Sequence, residues 1–254
     1  MQTPCAVQYT SNESGPFHYF KTMKRVAPEH GLIIVFRCER GKPYPSEKAT
    51  GFKNISCWSR GASPWSQLSP FHLGPVEQSL NFENFWHAQK VYERVAEQKQ
   101  EHWKWPAEDH GSPNEAWHAW RRALYANPFP VRRPNGRTVP LYAFWEGERL
   151  GIVEARKRIY IPYLQALYRA HPTYTALLNL VRGGQNVCLI EPDGPLFNMT
   201  TPLTIPVLRD LQAAETVGDA AKICSAVENI DRKRYAPYGH GFVIALTLLE
   251  DLAE

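Results

Sequence analysis

The stretch Ser79–Gln98, SLNFENFWHAQKVYERVAEQ, constrains this chain more than any other. Its spacing predicts one amphipathic helix of about five turns at ~3.6 residues per turn. On that helix Glu83, His87, Lys90, Arg94 and Glu97 fall on one narrow stripe, while Phe82, Phe85, Trp86, Tyr92 and Val95 take the remaining arc. A helix so apolar is buried over most of its circumference, which leaves the charged stripe only a narrow outlet. The stripe has two readings. As a solvated face it holds ordinary Glu–Lys and Glu–Arg pairs. As the wall of a pocket it presents Glu83 and Lys90, about 10 Å apart in rise, to one ligand.

The rest of the chain has to support such a helix. Its 254 residues, 43% hydrophobic and 21% charged, suit one large globular domain or two small ones rather than a disordered chain. A net charge of +4 and a pI near 8.7 permit phosphate binding without demanding a nucleic-acid partner. Eight Trp and twelve Tyr supply either base-stacking rings or core. The five cysteines, Cys5, Cys38, Cys57, Cys188 and Cys224, form no CxxC pair, a pattern of reduced thiols rather than of a disulfide framework or zinc site. MQTPCAVQYTSNESGPF lacks a basic stretch followed by an apolar run, and no apolar segment approaches the ~20 residues of a membrane span. A cytoplasmic protein with no membrane partner is the expectation.

In chain order, Gly31–Cys38 reads as a buried strand and Asn54–Ser59 as a second, pairing with it as an antiparallel ribbon. Ser59–Pro75 is a Pro- and aromatic-rich loop of the kind that carries function. Asn114–Ala126 reads as a helix capped by Asn114 with a Trp117/Trp120/Leu124 stripe. Asn127–Pro140 is a basic, Pro-rich loop. Glu148–Ala170 reads as helix, with Ile152, Ile159, Tyr163, Leu167 and Tyr168 at core spacing and Pro162 as a kink or restart. Pro172 opens a helix that Gly183-Gly184 ends. Asn186–Ile190 is a short strand delivering Glu191-Pro-Asp193-Gly into a turn. Modest helices near 205–214 and 218–229 and a basic loop lead to Phe242–Leu252, a buried closing helix. The predicted fold is α+β and predominantly α-helical. Residues 1–57 form an N-terminal extension with a short β ribbon, and 58–254 form a helical domain, the two making one compact unit.

A Pro/aromatic loop, a helix with internal Glu and Lys, an acidic turn after a short strand and a Gly-containing closing helix, in that order, resemble the NADAR superfamily of YbiA-like proteins. Leu68-Ser-Pro-Phe71 is similar to its FSNF-like segment, and Phe82-Glu-Asn-Phe-Trp-His-Ala-Gln-Lys90 resembles its SEHYFQAQK-type helix, with Glu83 and Lys90 in register. Arg158–Asn186 resembles its run of helices, Val187–Gly194 its strand and acidic turn, and Tyr238-Gly-His-Gly-Phe-Val-Ile-Ala-Leu246 its GxNxLGxxLM closing helix. The motifs span roughly residues 58–252. Two departures mark a divergent branch. Gly241 and Ala245 stand in place of the closing motif's Asn and second Gly, and Gly194-Pro195-Leu196-Phe197 stands where the family has a Trp.

The resemblance implies a single NADAR-like domain that hydrolyses the N-glycosidic C1–N bond between a ribose and a base or amine, including removal of ADP-ribose from guanine. No cofactor and no metal are implied. The expected partner is a nucleotide-like small molecule (ADP-ribose, an NAD-related compound or a riboflavin-pathway intermediate) or an ADP-ribosylated nucleic acid. Breaking that bond builds oxocarbenium character on the sugar, which a carboxylate stabilises. Glu83 and Asp193 are the candidate catalytic carboxylates. Lys90 is a nucleophile toward an opened sugar aldehyde, a phosphate holder or a group that orients Glu83. Arg60, Trp65, Phe71, Trp86, His87, Glu191, Tyr238, Gly239 and His240 are the candidate substrate contacts. Each has a plainer role open to it as ion pair, turn or core. Two other functions stay in view: a module that binds ADP-ribose or NAD without turnover, and a nucleic-acid-associated protein using Arg121/Arg122, Arg132/Arg133/Arg137 and Arg232–Arg234 as phosphate contacts.

Overall fold

A computed structural model describes residues 30–37, 51–57, 63–92, 113, 115–131, 140–191 and 239–254. The expected helices near 205–214 and 218–229, the acidic turn at Asp193 and the basic stretches 132–137 and 231–238 lie outside the described residues. Within them the architecture is mixed α+β.

Three parallel strands form one sheet in the order β1-β6-β2: β1 (Ile33–Arg37), β2 (Lys53–Ser56) and, between them, β6 (Val187–Glu191). Ile33 lies opposite Val187 on one edge of β6, and Lys53 lies opposite Val187 on the other. The antiparallel ribbon expected of the first two strands therefore does not form. Val187, Cys188, Leu189 and Ile190 are all buried. An unbroken apolar run suits a central parallel strand covered on both faces, where no alternation is required. Gly31 leads in. A Cβ there would sit 2.0 Å from the Gln185 carbonyl oxygen, so only glycine allows its N–H to reach the Val181 carbonyl at 2.7 Å.

The closing helix α6 (His240–Leu252) packs against β1 and β6 and against α4 (Ile161–Arg169) and α5 (Pro172–Arg182). It is buried without a break from His240 to Leu249, as a helix apolar all round must be. Asp251 stitches the three helices together, accepting from Tyr174 Oη at 2.6 Å and from Arg169 Nε at 2.9 Å.

The second layer differs from expectation. The organising helix α1 runs only from Phe82 to Ala88, about two turns. Lys90 and Val91 then form strand β3, the edge of an antiparallel sheet with β4 (Tyr142–Trp145) and β5 (Glu148–Leu150). Residues 93–98 of the expected helix lie outside the described residues. Glu148–Leu150 is strand, not helix, because Glu146 and Gly147 at φ 50° and 84° make a tight hairpin turn. Helix resumes as α3 (Ile152–Ala155) and passes through a π-helical turn, Arg156–Tyr160, into α4. Pro162 has no N–H for the carbonyl one turn back, and the turn before it widens so that Ile161 N–H reaches Arg156 O. Ile159 and Tyr168 are buried as expected, but Ile152 is 42% exposed. Helix α2 (Glu115–Ala126) buries Trp117, Trp120 and Leu124 against α1 and its surroundings.

Candidate active site

The first turn of α1 is fixed by its surroundings. Asn81 is the N-cap, its side chain accepting from Asn84 N–H at 2.9 Å. The Pro/aromatic loop supplies the other acceptors: Phe82 N–H reaches Leu73 O at 2.8 Å and Glu83 N–H reaches Pro70 O at 3.1 Å. The helix N-terminus is thus saturated by protein. What α1 offers chemistry is its side chains.

Glu83 and His87 sit one turn apart, with His87 Nε2 at 3.0 Å from Glu83 Oε1. Their side chains are only 13% and 10% exposed. Lys90 is no longer on the helix, yet β3 brings its Nζ to 3.1 Å from His87 Nδ1. The imidazole therefore stands between the carboxylate and the amine that the helical stripe had set face to face. A carboxylate only accepts, so His87 Nε2 carries hydrogen. The hydrogen bond between Nδ1 and Lys90 holds one proton with two possible homes: an ammonium beside a neutral imidazole, or an amine beside an imidazolium.

Burial pushes the Glu83 carboxyl upward. The charge and hydrogen bond of His87, followed by the charges of Lys90 and His240, outweigh burial and hold it below its ordinary value of 4.5. Glu83 is thus ionised near neutral pH. His240 comes from the first position of α6, and its Nε2 donates to Cys57 O at 3.1 Å. Tyr92, at the end of β3, is pushed the other way, by burial and then by the Glu83 charge.

Trp86 forms the floor beside Lys90. Lys90 Nζ lies 4.7 Å and the Arg156 guanidinium 5.6 Å from the indole ring. Arg156 also covers Tyr160 at 4.7 Å, and Tyr160 packs edge-on against Trp86 at 5.0 Å. A cavity of about 200 Å³ opens over Trp86 and Lys90, walled by Tyr142, Ala143 and Ala155, with the exposed Leu141 and Ile152 beside them. Lys90 is the group this cavity meets; Glu83 stands behind His87. The arrangement combines an amine, an imidazole, a guanidinium and an aromatic face.

The remaining candidates are dispersed. Gly239 is the N-cap of α6. Trp65 packs on the core with Lys53 Nζ 5.8 Å from its ring, and Phe71 lies half-buried in the loop that caps α1. Glu191 ends β6, its backbone in register with Arg37. Arg60, Asp193 and Tyr238 lie outside the described residues. Sequence reading missed three residues. Arg156 was hidden in a basic run whose inward member depends on the π turn. Tyr92 passed for plain core. Asn84 is fully buried, donating to the Asn127 and Phe129 carbonyls at 3.0 Å each and accepting from Val131 N–H at 2.7 Å. Its one signal is an amide on an otherwise apolar arc.

The described residues define a mixed α+β protein with a Glu–His–Lys chain beside a small aromatic-walled cavity. No known protein family, curated protein or solved structure matches the chain. Among the described residues no cluster of His, Cys, Asp or Glu is suited to a metal ion, and no helix is long and apolar enough to cross a membrane.

Proposed function

We propose that this protein is an N-glycosidase that cleaves the C1–N bond of a ribosyl adduct, with ADP-ribose or a ribose phosphate as the sugar portion. The observation that carries the reading is the His87 bridge between Glu83 and Lys90 at the edge of the cavity. Transfer of the Lys90 proton to His87 Nδ1, supported by the Glu83 carboxylate, frees the amine's electron pair. In the ring-opened adduct that pair attacks C1. The leaving base departs with the C1–N pair and takes a proton, which leaves a Schiff base on Lys90. Water then adds to the imine carbon, the amine recovers its proton from His87, and the freed aldehyde closes to ribose. In this reading Arg156, which lies over the Trp86 and Tyr160 rings, holds a phosphate, and Trp86 lies against a planar group. The resemblance of Phe82–Lys90 to the NADAR helix supports the same reading.

The test is incubation with ADP-ribosylated guanine nucleoside, ADP-ribosylated DNA and riboflavin-pathway ribosylamines, followed by mass spectrometry. Release of free base with a borohydride-trapped sugar on Lys90 is the expected result. Lys90→Arg keeps the charge but forms no imine. Full turnover by that variant, with no adduct trapped in the parent, rejects the Schiff-base route and leaves Lys90 as a cation. Recovery of every substrate intact, with measurable binding, would instead make this a module that binds the nucleotide without turning it over.

A further inference from the structure

A second cavity of about 200 Å³ is walled by Glu77, Gln78, His118, Arg121, Arg122, Tyr125 and Trp145. We propose that it is a binding site for a small oxyanion, a carboxylate or phosphate carried on a flat body. The inference stands independently of the glycosidase reading.

The argument is a count of donors and acceptors. Arg121 is clamped: its guanidinium lies 5.4 Å from the Trp117 ring and 5.2 Å from the Tyr125 ring, and its Nε donates to Tyr125 Oη at 2.9 Å. Among the described residues no acceptor meets its two terminal nitrogens, which carry four N–H groups. Tyr125 Oη also accepts from the buried Gln89 Nε2 at 2.8 Å. With both lone pairs engaged, the phenol still has its own hydrogen to give, and no described residue takes it. Gln89 is not that acceptor. Its Nε2 is committed to Phe85 O at 2.8 Å, which fixes the amide orientation, and its Oε1 makes no hydrogen bond.

The acceptor side is short. Glu77 is the carboxylate of this wall, and it already receives the Tyr163 hydroxyl at 2.7 Å. Arg122 is held by Glu115 at 2.6 Å in an exposed pair that water screens. The cavity therefore presents a surplus of donors, fixed in direction before any ligand arrives. A two-oxygen anion matches the terminal face of a guanidinium and has lone pairs left for a phenol hydrogen. The acceptors of this wall are the Glu77 carboxylate and the Gln78 amide oxygen, fewer than the donors that Arg121, Arg122 and Tyr125 supply. The Trp145 indole adds a flat apolar side, which suits a ring attached to the anion.

The probes are inorganic phosphate and benzoate, titrated separately into the full chain while the ring C–H signals of His118 are followed by NMR. A saturable shift with either probe, weakened at least tenfold in Arg121→Lys, is the expected result. Lysine keeps the charge but loses the planar fork. Tyr125→Phe removes the phenol hydrogen together with the oxygen that holds Arg121 Nε, should weaken binding in the same direction, and serves if Arg121→Lys melts early. Lys90→Arg should leave the titration unchanged. No saturable shift with either probe overturns the proposal. So does a shift that survives both the Arg121 and Tyr125 changes, and so does one that Lys90→Arg abolishes, which would place the probe in the other cavity.

Discussion

At the scale of residues, His87 separates a proton relay from a mere spacer. Glutamine at this position can still donate to Glu83 and accept from Lys90, but it cannot take a proton. His87→Gln is therefore expected to lower the yield of trapped Lys90 adduct by tenfold or more near neutrality. The yield should recover at higher pH, where Lys90 loses its proton to water. A neutral-pH yield equal to that of the parent would mean that His87 only positions its neighbours. Glu83 makes a second, thermodynamic prediction. Its folded pKa lies below the ordinary 4.5, so its contribution to stability is complete above that value and is lost as pH falls through the folded pKa. The gap in unfolding free energy between parent and Glu83→Gln should narrow from about pH 7 to about pH 3. Denaturant melts at both pH values measure it, and a gap that widens on acidification contradicts the assigned direction.

At the scale of elements, Asn84 does what no periodicity announces. It ties α1 to the irregular segment 127–131 through three hydrogen bonds to backbone groups. Asn84→Ala leaves those groups unpaired in a site where each lost partner costs on the order of 1–3 kcal/mol. The expected outcome is a clear drop in melting temperature, with new proteolytic cleavage near Pro128–Val131; an unchanged melt would show that water replaces the amide at no cost. The helix ends that were legible are those marked by local chemistry: His171-Pro172 opens α5 and Gly183 ends it. The end of α1 was not legible. Lys90 and Val91 have acceptable helical spacing, but the hairpin β4–β5 pairs with them, Leu141 N–H reaching Val91 O and Phe144 N–H reaching Gln89 O at 2.8 Å each. A ladder supplied from far along the chain overrides a local periodicity. The Glu146-Gly147 pair between aromatic and branched residues was the available signal for that hairpin. The candidate site was half legible for the same reason. Glu83, His87 and Lys90 were found as a stripe, whereas Arg156 reaches Trp86 only from a separate helix.

At the scale of the whole molecule, the mixed α+β class was readable from alternating apolar runs and helical spacing, but the partner of each strand was not. Local proximity suggested that β1 and β2 pair with each other. The strand that joins them arrives much later in the sequence and lies between them. This placement makes the first strand part of the core rather than an appendage. Ile33, Ile34 and Val35 are 1%, 2% and 3% exposed. At about 1.5–3 kcal/mol for each buried aliphatic side chain, their loss removes roughly 5–9 kcal/mol, against about 5–15 kcal/mol for a whole domain. It also strips one edge of β6 of its hydrogen-bonding partner. A chain beginning at residue 51 is therefore expected to lose cooperative thermal unfolding and to aggregate through the bared strand. Ile34→Asp in the full chain keeps the backbone ladder but buries a charge, and it should also lower the melting temperature sharply. A truncated chain that melts cooperatively at the parent's temperature would show that the sheet's first strand is dispensable.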